Sequence, residues 1–164
     1  MATAEEDRQA ARELAALATI HVGWAARDRL RRALLWVSRG RLGRRRDWPV
    51  VHVLGTPWQD NPSVRGIGWR ERAAYLNGQR VFGVDYRVCR RCRVGWVEDP
   101  ATEEGYERCG LAAAGLAALR AEHPGLSWHT AGGHMPGSEP FWQAVASGVR
   151  GGYARRDICS HRLP

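Results

Sequence analysis

Residues 93–130 constrain the fold more tightly than any other stretch of this chain. Residues 93–98 (RVGWVE) read as a buried strand, and a polar loop leads from them to Gly110. Residues 110–122 (GLAAAGLAALRAE) have the small and apolar spacing of a helix lying on a sheet. His123-Pro124-Gly125 stops that helix, and residues 126–130 (LSWHT) form the next strand. A strand, a crossing helix and a strand oblige the two strands to run parallel in one sheet. The helix opens on a glycine, so the free N–H groups of its first turn can meet an anion.

The flanking sequence adds antiparallel partners. Residues 80–88 (RVFGVDYRV) alternate as a strand, and residues 89–92 leave room only for a tight hairpin connection to the strand at 93. Residues 48–54 (WPVVHVL) read as a short buried strand, and residues 55–62 as a turn-rich link. The spacing over residues 64–76 predicts a helix closed by Asn77-Gly78. Residues 4–37 read as helical with a break near Gly23, and Glu5, Glu6 and Asp7 stand in the first turn, where the helix dipole favours acid. Leu14, Leu17, His21 and Trp24 form one stripe, and Leu30, Leu34 and Val37 another. Residues 38–47 form a basic loop. After the second parallel strand, residues 131–137 are a glycine loop. Ser138 is placed to cap a helix through residue 146, with Pro140 in its first turn. Residues 151–158 are expected as a last strand, antiparallel to residues 126–130. The class is α/β (α+β): a central, partly antiparallel sheet flanked by helices. One domain spans residues 1–164, with a helical part over 1–47 and the sheet core over 48–164.

The length of 164 residues fits one domain. No apolar run is long enough for a membrane helix, and residues 1–12 lack the apolar centre of a signal peptide, so a cytoplasmic location is expected. The net charge of +8 comes from arginine alone, with no lysine in the chain. The arginines cluster between Arg27 and Arg46. A nucleic-acid partner for that cluster is an alternative reading, not the favoured one, because no base-reading or aromatic motif accompanies it.

Cys89-x-x-Cys92 occupies the hairpin turn and Cys159-x-His161 the C-terminal end. Together they make a Cys3His set, the composition of a structural zinc site, against the alternative of four unligated thiols. A last strand antiparallel to 126–130 would bring the second pair to the hairpin end of the sheet. Cys109 opens the helix at the opposite end and is not expected to be a ligand.

The order of elements, with two short motifs, resembles the GNAT superfamily of N-acetyltransferases. The family's Arg/Gln-x-x-Gly-x-Gly/Ala motif is matched by Glu107-Arg108-Cys109-Gly110-Leu111-Ala112, with Glu107 departing at the first position. The family's later Phe/Leu-Tyr pair is matched by Phe141-Trp142. The match runs over roughly residues 80–146, about two-fifths of the chain. The resemblance implies acetyl transfer from acetyl-CoA to an amine by direct attack on the thioester. It implies a cosubstrate site made by Val97, Arg108, Cys109, Gly110, Leu111, Ala112, Ala113 and Trp142, with the pyrophosphate on the turn. It implies Glu98 as a base acting through water, with His129, or His134 in the loop above it, as further candidates. Trp142 stands where the family carries its usual acid, a tyrosine, and an indole N–H is no acid at neutral pH. Tyr106 and Tyr153 are candidate substitutes, and a non-catalytic binding protein of this fold is the other alternative. The acceptor amine is not named by the sequence.

Overall fold

The structure, a computed structural model, describes residues 3–24, 33–34, 36–39, 41 and 55–161. Helix α1 (Ala4–Ala16) starts with a capping box: Thr3 Oγ1 accepts from the Glu6 N–H, and the Glu6 carboxylate accepts from the Thr3 N–H at 2.6 Å. The helix buries Ala11 and Leu14 and ends at Ala16; beyond the expected break, Ala33, Leu34, Trp36 and Val37 are helical again. A tight turn through residue 20 leads into β1 (Val22–Trp24), which pairs parallel with β2 (Trp58–Pro62). Val22 and Trp24 are better suited to a pleated edge than to a further helical turn. Leu34 and Val37 are exposed. The strand expected at 48–54 lies outside the described residues.

The helix expected over 64–76 is a strand instead. β3 (Arg70–Leu76) pairs antiparallel with β2 and with β4 (Gln79–Cys89). Asn77 and Gly78 both have positive φ, 51° and 78°, and form the two-residue hairpin turn between β3 and β4. The Asn-Gly pair is a hairpin signal here, not a helix stop. Residues 58–62, expected within a link, are the strand β2, with Pro62 at its end, where a missing N–H costs no ladder bond.

The rest of the sheet follows the expected topology. β5 (Val94–Thr102) pairs antiparallel with β4, α2 (Leu111–Glu122) crosses, and β6 (Ser127–His129) pairs parallel with β5. The sheet order is β1-β2-β3-β4-β5-β6. The architecture is therefore mixed α and β, as the sequence implies. Helix α3 (Glu139–Ala146) follows, with Pro140 in its first turn, but Ser138 does not cap it. The Ser138 hydroxyl donates to the Met135 carbonyl at 2.6 Å, so its oxygen is turned to the loop. Residues 151–158 form no strand. They make one bridge, Thr130 to Arg155, in the parallel sense, because the chain runs alongside the end of β6 before turning away.

The two faces of the sheet differ. Helices α1 and α2 cover one face over a core of Trp58, Phe82, Val84, Val97, Leu116, Leu119 and Trp128. Gly115 lets α2 approach closely: a Cβ there would lie 2.6 Å from Phe82. On the other face Cys89, Val94 and Trp96 form a smaller cluster with Trp69, Ala131 and Cys159. Among the described residues, no helix is long and apolar enough to cross a membrane.

A buried ion network fastens α2 to the sheet. Asp60 and Arg72 are both fully buried. Arg72 donates to Asp60 Oδ2 at 3.1 Å and to Glu122 Oε2, at the end of α2, at 2.6 Å. Arg70 and the Tyr86 hydroxyl donate to the same Asp60 carboxylate. Burial and then the Asp60 charge raise the Tyr86 hydroxyl above its usual range. Replacing one partner leaves Arg72 charged and partly unmatched in the interior. Asp60→Ala is expected to lower the unfolding free energy by about 3–5 kcal/mol, read by urea unfolding. A loss well below that range would show the network to be dispensable.

Candidate metal centre and cavity

β5 has nine residues and β6 only three. Their pairing ends at Trp96 and His129, after which the strands part. β5 continues along β4, with one extra residue at Asp99-Pro100 against Val84 and Asp99 held at φ 48°. Such a bulge bends a strand. In the gap lies a cavity of about 240 Å³ lined by Val97, Glu98, Asp99, Pro100, Thr130, Gly133, Met135, Ser138, Phe141 and Trp142. It lies at the carboxyl ends of two parallel strands, a place where open sheets of this kind hold ligands.

Within the wall, the Glu98 carboxylate is held at one oxygen. Its Oε1 accepts from the backbone N–H of Ala131 and from that of Gly132 at 3.0 Å. Oε2 has no hydrogen-bond donor among the described residues. Val97 and Trp142 join Glu98 in the same cavity. His129 does not line it. Its Nδ1–H donates to the Ala154 carbonyl at 3.0 Å, and Nε2 is 3.1 Å from Ser127 Oγ, so both ring nitrogens are engaged. The ring of His134 stacks on Trp142, with centroids 4.6 Å apart at 8°, and its Nε2 donates to the Tyr153 carbonyl at 2.9 Å. Tyr153 is fully buried; its hydroxyl accepts from Arg120 and does not reach the cavity. Burial also raises that hydroxyl above its usual range. Tyr106 is half-buried beside the core and also stands outside the cavity lining.

The glycine turn enters α2 as expected. Gly110 has φ 84° and Arg108 φ 60°, and no side chain caps the helix. The left-handed geometry at Gly110 favours a residue without Cβ. Cys109 and Leu111 are buried, Ala112 is half-buried, and Arg108 and Ala113 are exposed. The Cys109 thiol contacts the Glu107 carbonyl at 3.7 Å. None of the turn's residues lines the cavity. Because α2 must carry the chain back to the start of β6, its N-terminus lies at the end where β5 and β6 part.

At the other end of the sheet, Cys89, Cys92, Cys159 and His161 come together, with their ligand atoms all within 4.8 Å of one another. Cys109 is not among them. Cys89 closes β4 opposite Val94, and Cys92 sits in the turn, where its N–H donates to Cys89 Sγ at 3.5 Å. His161 Nδ1 is 3.1 Å from Cys92 Sγ and 4.0 Å from Cys89 Sγ. Ligands arranged tetrahedrally around zinc stand about 3.5–3.8 Å apart, the edge of a tetrahedron with arms of about 2.0–2.3 Å. The cluster could therefore hold a metal ion. The route to it differs from expectation: the tail reaches it not as an antiparallel strand but by crossing the open face, with the Arg156 carbonyl accepting from Trp96 Nε1 at 3.0 Å.

Burial works to raise the Cys89 thiol, but the Cys92 and Arg91 N–H groups and the neighbouring thiols outweigh it and lower its pKa. The Cys92 thiol is pushed up to about 11 by desolvation and by the two thiols beside it. Thiolates are the ligating form, so uptake of an ion at neutral pH must release protons. The apparent affinity for a divalent ion is therefore expected to fall between about pH 8 and pH 6, measured by competition with a chromophoric chelator. An affinity independent of pH would rule out thiolate ligation.

No protein-family model and no curated protein matches this chain. Of the arginines between Arg27 and Arg46, only Arg39 and Arg41 are among the described residues, so the expectation of a nucleic-acid face falls largely outside them.

Most of the cavity wall carries no motif in the sequence. Asp99, Thr130, Gly133 and Met135 line it because two strands of unequal length diverge, and strand length is set by pairing. The available signal was the glycine-rich run 131–137 directly after a short strand.

Proposed function

We propose that this chain binds an acyl-CoA in the gap between β5 and β6 and transfers the acyl group, acetyl in the simplest case, to an amine. The observation that carries this reading is the parting of the two parallel strands over a cavity walled by Glu98, Val97 and Trp142. Beyond Trp96 the β6-facing edge of β5 has no partner strand among the described residues. An extended arm bearing amides can continue that ladder by strand addition. The uncapped first turn of α2, at the same end of the sheet, suits the pyrophosphate, with Gly110 allowing close approach and Arg108 exposed beside it.

In this reading the amine nitrogen attacks the thioester carbonyl carbon, the new C–N bond forms and the C–S bond breaks. Glu98 Oε2 takes the amine proton through water, while Oε1 stays tied to the loop amides and fixes the carboxylate's direction. Trp142 offers no acidic proton, so the thiolate leaves unprotonated and takes its proton from water. A thiol of pKa near 8.5 is a good enough leaving group for that route. Trp142 then serves as an apolar wall, stacked on His134.

We also assign zinc to the Cys3His centre, in a structural role. Four protein ligands complete a tetrahedron and leave no open position for substrate.

Acetyl-CoA near 100 times its Kd should raise the melting free energy by about 2.7 kcal/mol, seen as a higher Tm. Gly110→Val, which strains the turn and crowds the phosphate approach, should remove that shift. No shift for the unchanged protein at millimolar acetyl-CoA would end the reading. Once an acceptor has been found from a panel of amines, Glu98→Gln should lower kcat by about 10²–10⁴-fold with little change in acetyl-CoA binding. A variant that keeps full turnover would remove Glu98 from the chemistry.

A further inference from the structure

We infer that the Cys3His centre sets the Glu98 wall of the cavity, so that metal occupancy and cavity geometry are coupled across the sheet. The inference rests on the zinc reading given above but not on the acyl-CoA reading. Its basis is one continuous run of contacts.

β6 is three residues long, and its outer edge is covered by residues 150–156. Trp128 N–H donates to the Arg150 carbonyl at 2.8 Å, and Tyr153 N–H donates to the Trp128 carbonyl at 2.9 Å. Thr130 N–H donates to the Ala154 carbonyl at 3.3 Å, and Arg156 N–H donates to the Thr130 carbonyl at 2.8 Å. Thr130 is thus held by the tail at both its N–H and its carbonyl. The next two residues, Ala131 and Gly132, give their N–H groups to Glu98 Oε1. The loop that holds the carboxylate is therefore the direct continuation of the residue that the tail holds.

From Arg156 the tail leaves the sheet edge and crosses the open face to the centre. Trp96 Nε1 donates to the Arg156 carbonyl, and Ala131, Trp96 and Cys159 share the small cluster with Cys89 and Val94. Between Arg156 and the ligands little else holds the chain. Asp157, Ile158 and Ser160 are exposed, and one further bond, from Arg87 Nη2 to the His161 carbonyl at 3.2 Å, ties the end. An exposed stretch with so few bonds opens locally at small free-energy cost. An ion shared by Cys159 and His161 with Cys89 and Cys92 joins it to the rigid β4–β5 hairpin. Closing the tail at that point keeps residues 154–156 on Thr130, and with them the Ala131–Gly132 amides on Glu98. The coupling is reciprocal, so a ligand that orders the Glu98 wall must also tighten the metal.

The test compares the full chain loaded with zinc and stripped with a chelator, by amide hydrogen exchange resolved residue by residue. On stripping, exchange at Ala131, Gly132 and Arg156 should quicken by about tenfold or more, while Leu116 and Leu119 in α2 keep their protection. Cys159→Ser should behave as the stripped chain. Trp96→Phe removes the Nε1 donor and leaves all four ligands, so it should keep zinc yet quicken exchange at Ala131 and Gly132. One zinc bound per chain with unchanged exchange at Ala131 and Gly132 overturns the inference and leaves the zinc reading standing. A chain that takes up no zinc overturns both. Equal loss of protection at Leu116 and Leu119 also overturns it, since the ion would then hold the whole fold.

Discussion

β5 and β6 share three pairs, Val94 with Ser127, Gly95 with Trp128 and Trp96 with His129, and then part. The parallel contact is close while it lasts. A Cβ on Gly95 would lie 2.7 Å from the Trp128 ring, so the strand carries glycine where the indole crosses it. Past His129 the chain turns into a glycine-rich loop, and β5 bends at Asp99-Pro100 while still bonded to β4. An unpaired strand edge inside a sheet has polar groups that need partners. The Ala131 and Gly132 amides of the loop find their partner in the Glu98 carboxylate, while the β5 edge itself opens onto the cavity. The gap, the fixed carboxylate and the loop are three consequences of one short pairing.

The two faces of the sheet are secured by different means. The helical face has a large apolar core, and a buried charge cluster on it is matched around Asp60, Arg72 and Glu122. The open face has no helix over Trp96 among the described residues; the tail crosses it instead. A few exposed residues bury little area and cannot offset their own ordering entropy. An ion on the thiol and imidazole groups of such a tail could supply what its packing lacks. Cys89 and Cys92 sit on the hairpin side of the cluster, and Cys159 and His161 on the side of the tail.

The parts legible in the sequence were those with local signals. Residues 93–130 declared a parallel crossover because Gly110 and His123-Pro124-Gly125 bracket a helix between two apolar runs. The four metal-site residues declared themselves by type and spacing, although the expected path of the tail was wrong. The tail pairs with the end of β6 through a single parallel bridge, and a one-residue contact leaves no periodic trace. Residues 70–76 (RERAAYL) suit a helix by composition and became a strand because β2 and β4 flank them. Arg72 reads as a solvated charge until Asp60 and Glu122, 12 and 50 positions away, are brought to it. Glu98 was legible as a candidate, but the division of its two oxygens was not. That division depends on where residues 131–132 fold back.

The claim on which this account most depends is that the gap between β5 and β6 receives an extended thioester. Amide NMR of the zinc-loaded chain during titration with acetyl-CoA tests it directly. The account predicts saturable shifts confined to Val97–Asp99, Thr130–Gly133 and the Gly110–Ala113 turn. Shifts elsewhere with these amides unmoved, or none at millimolar acetyl-CoA, would contradict it.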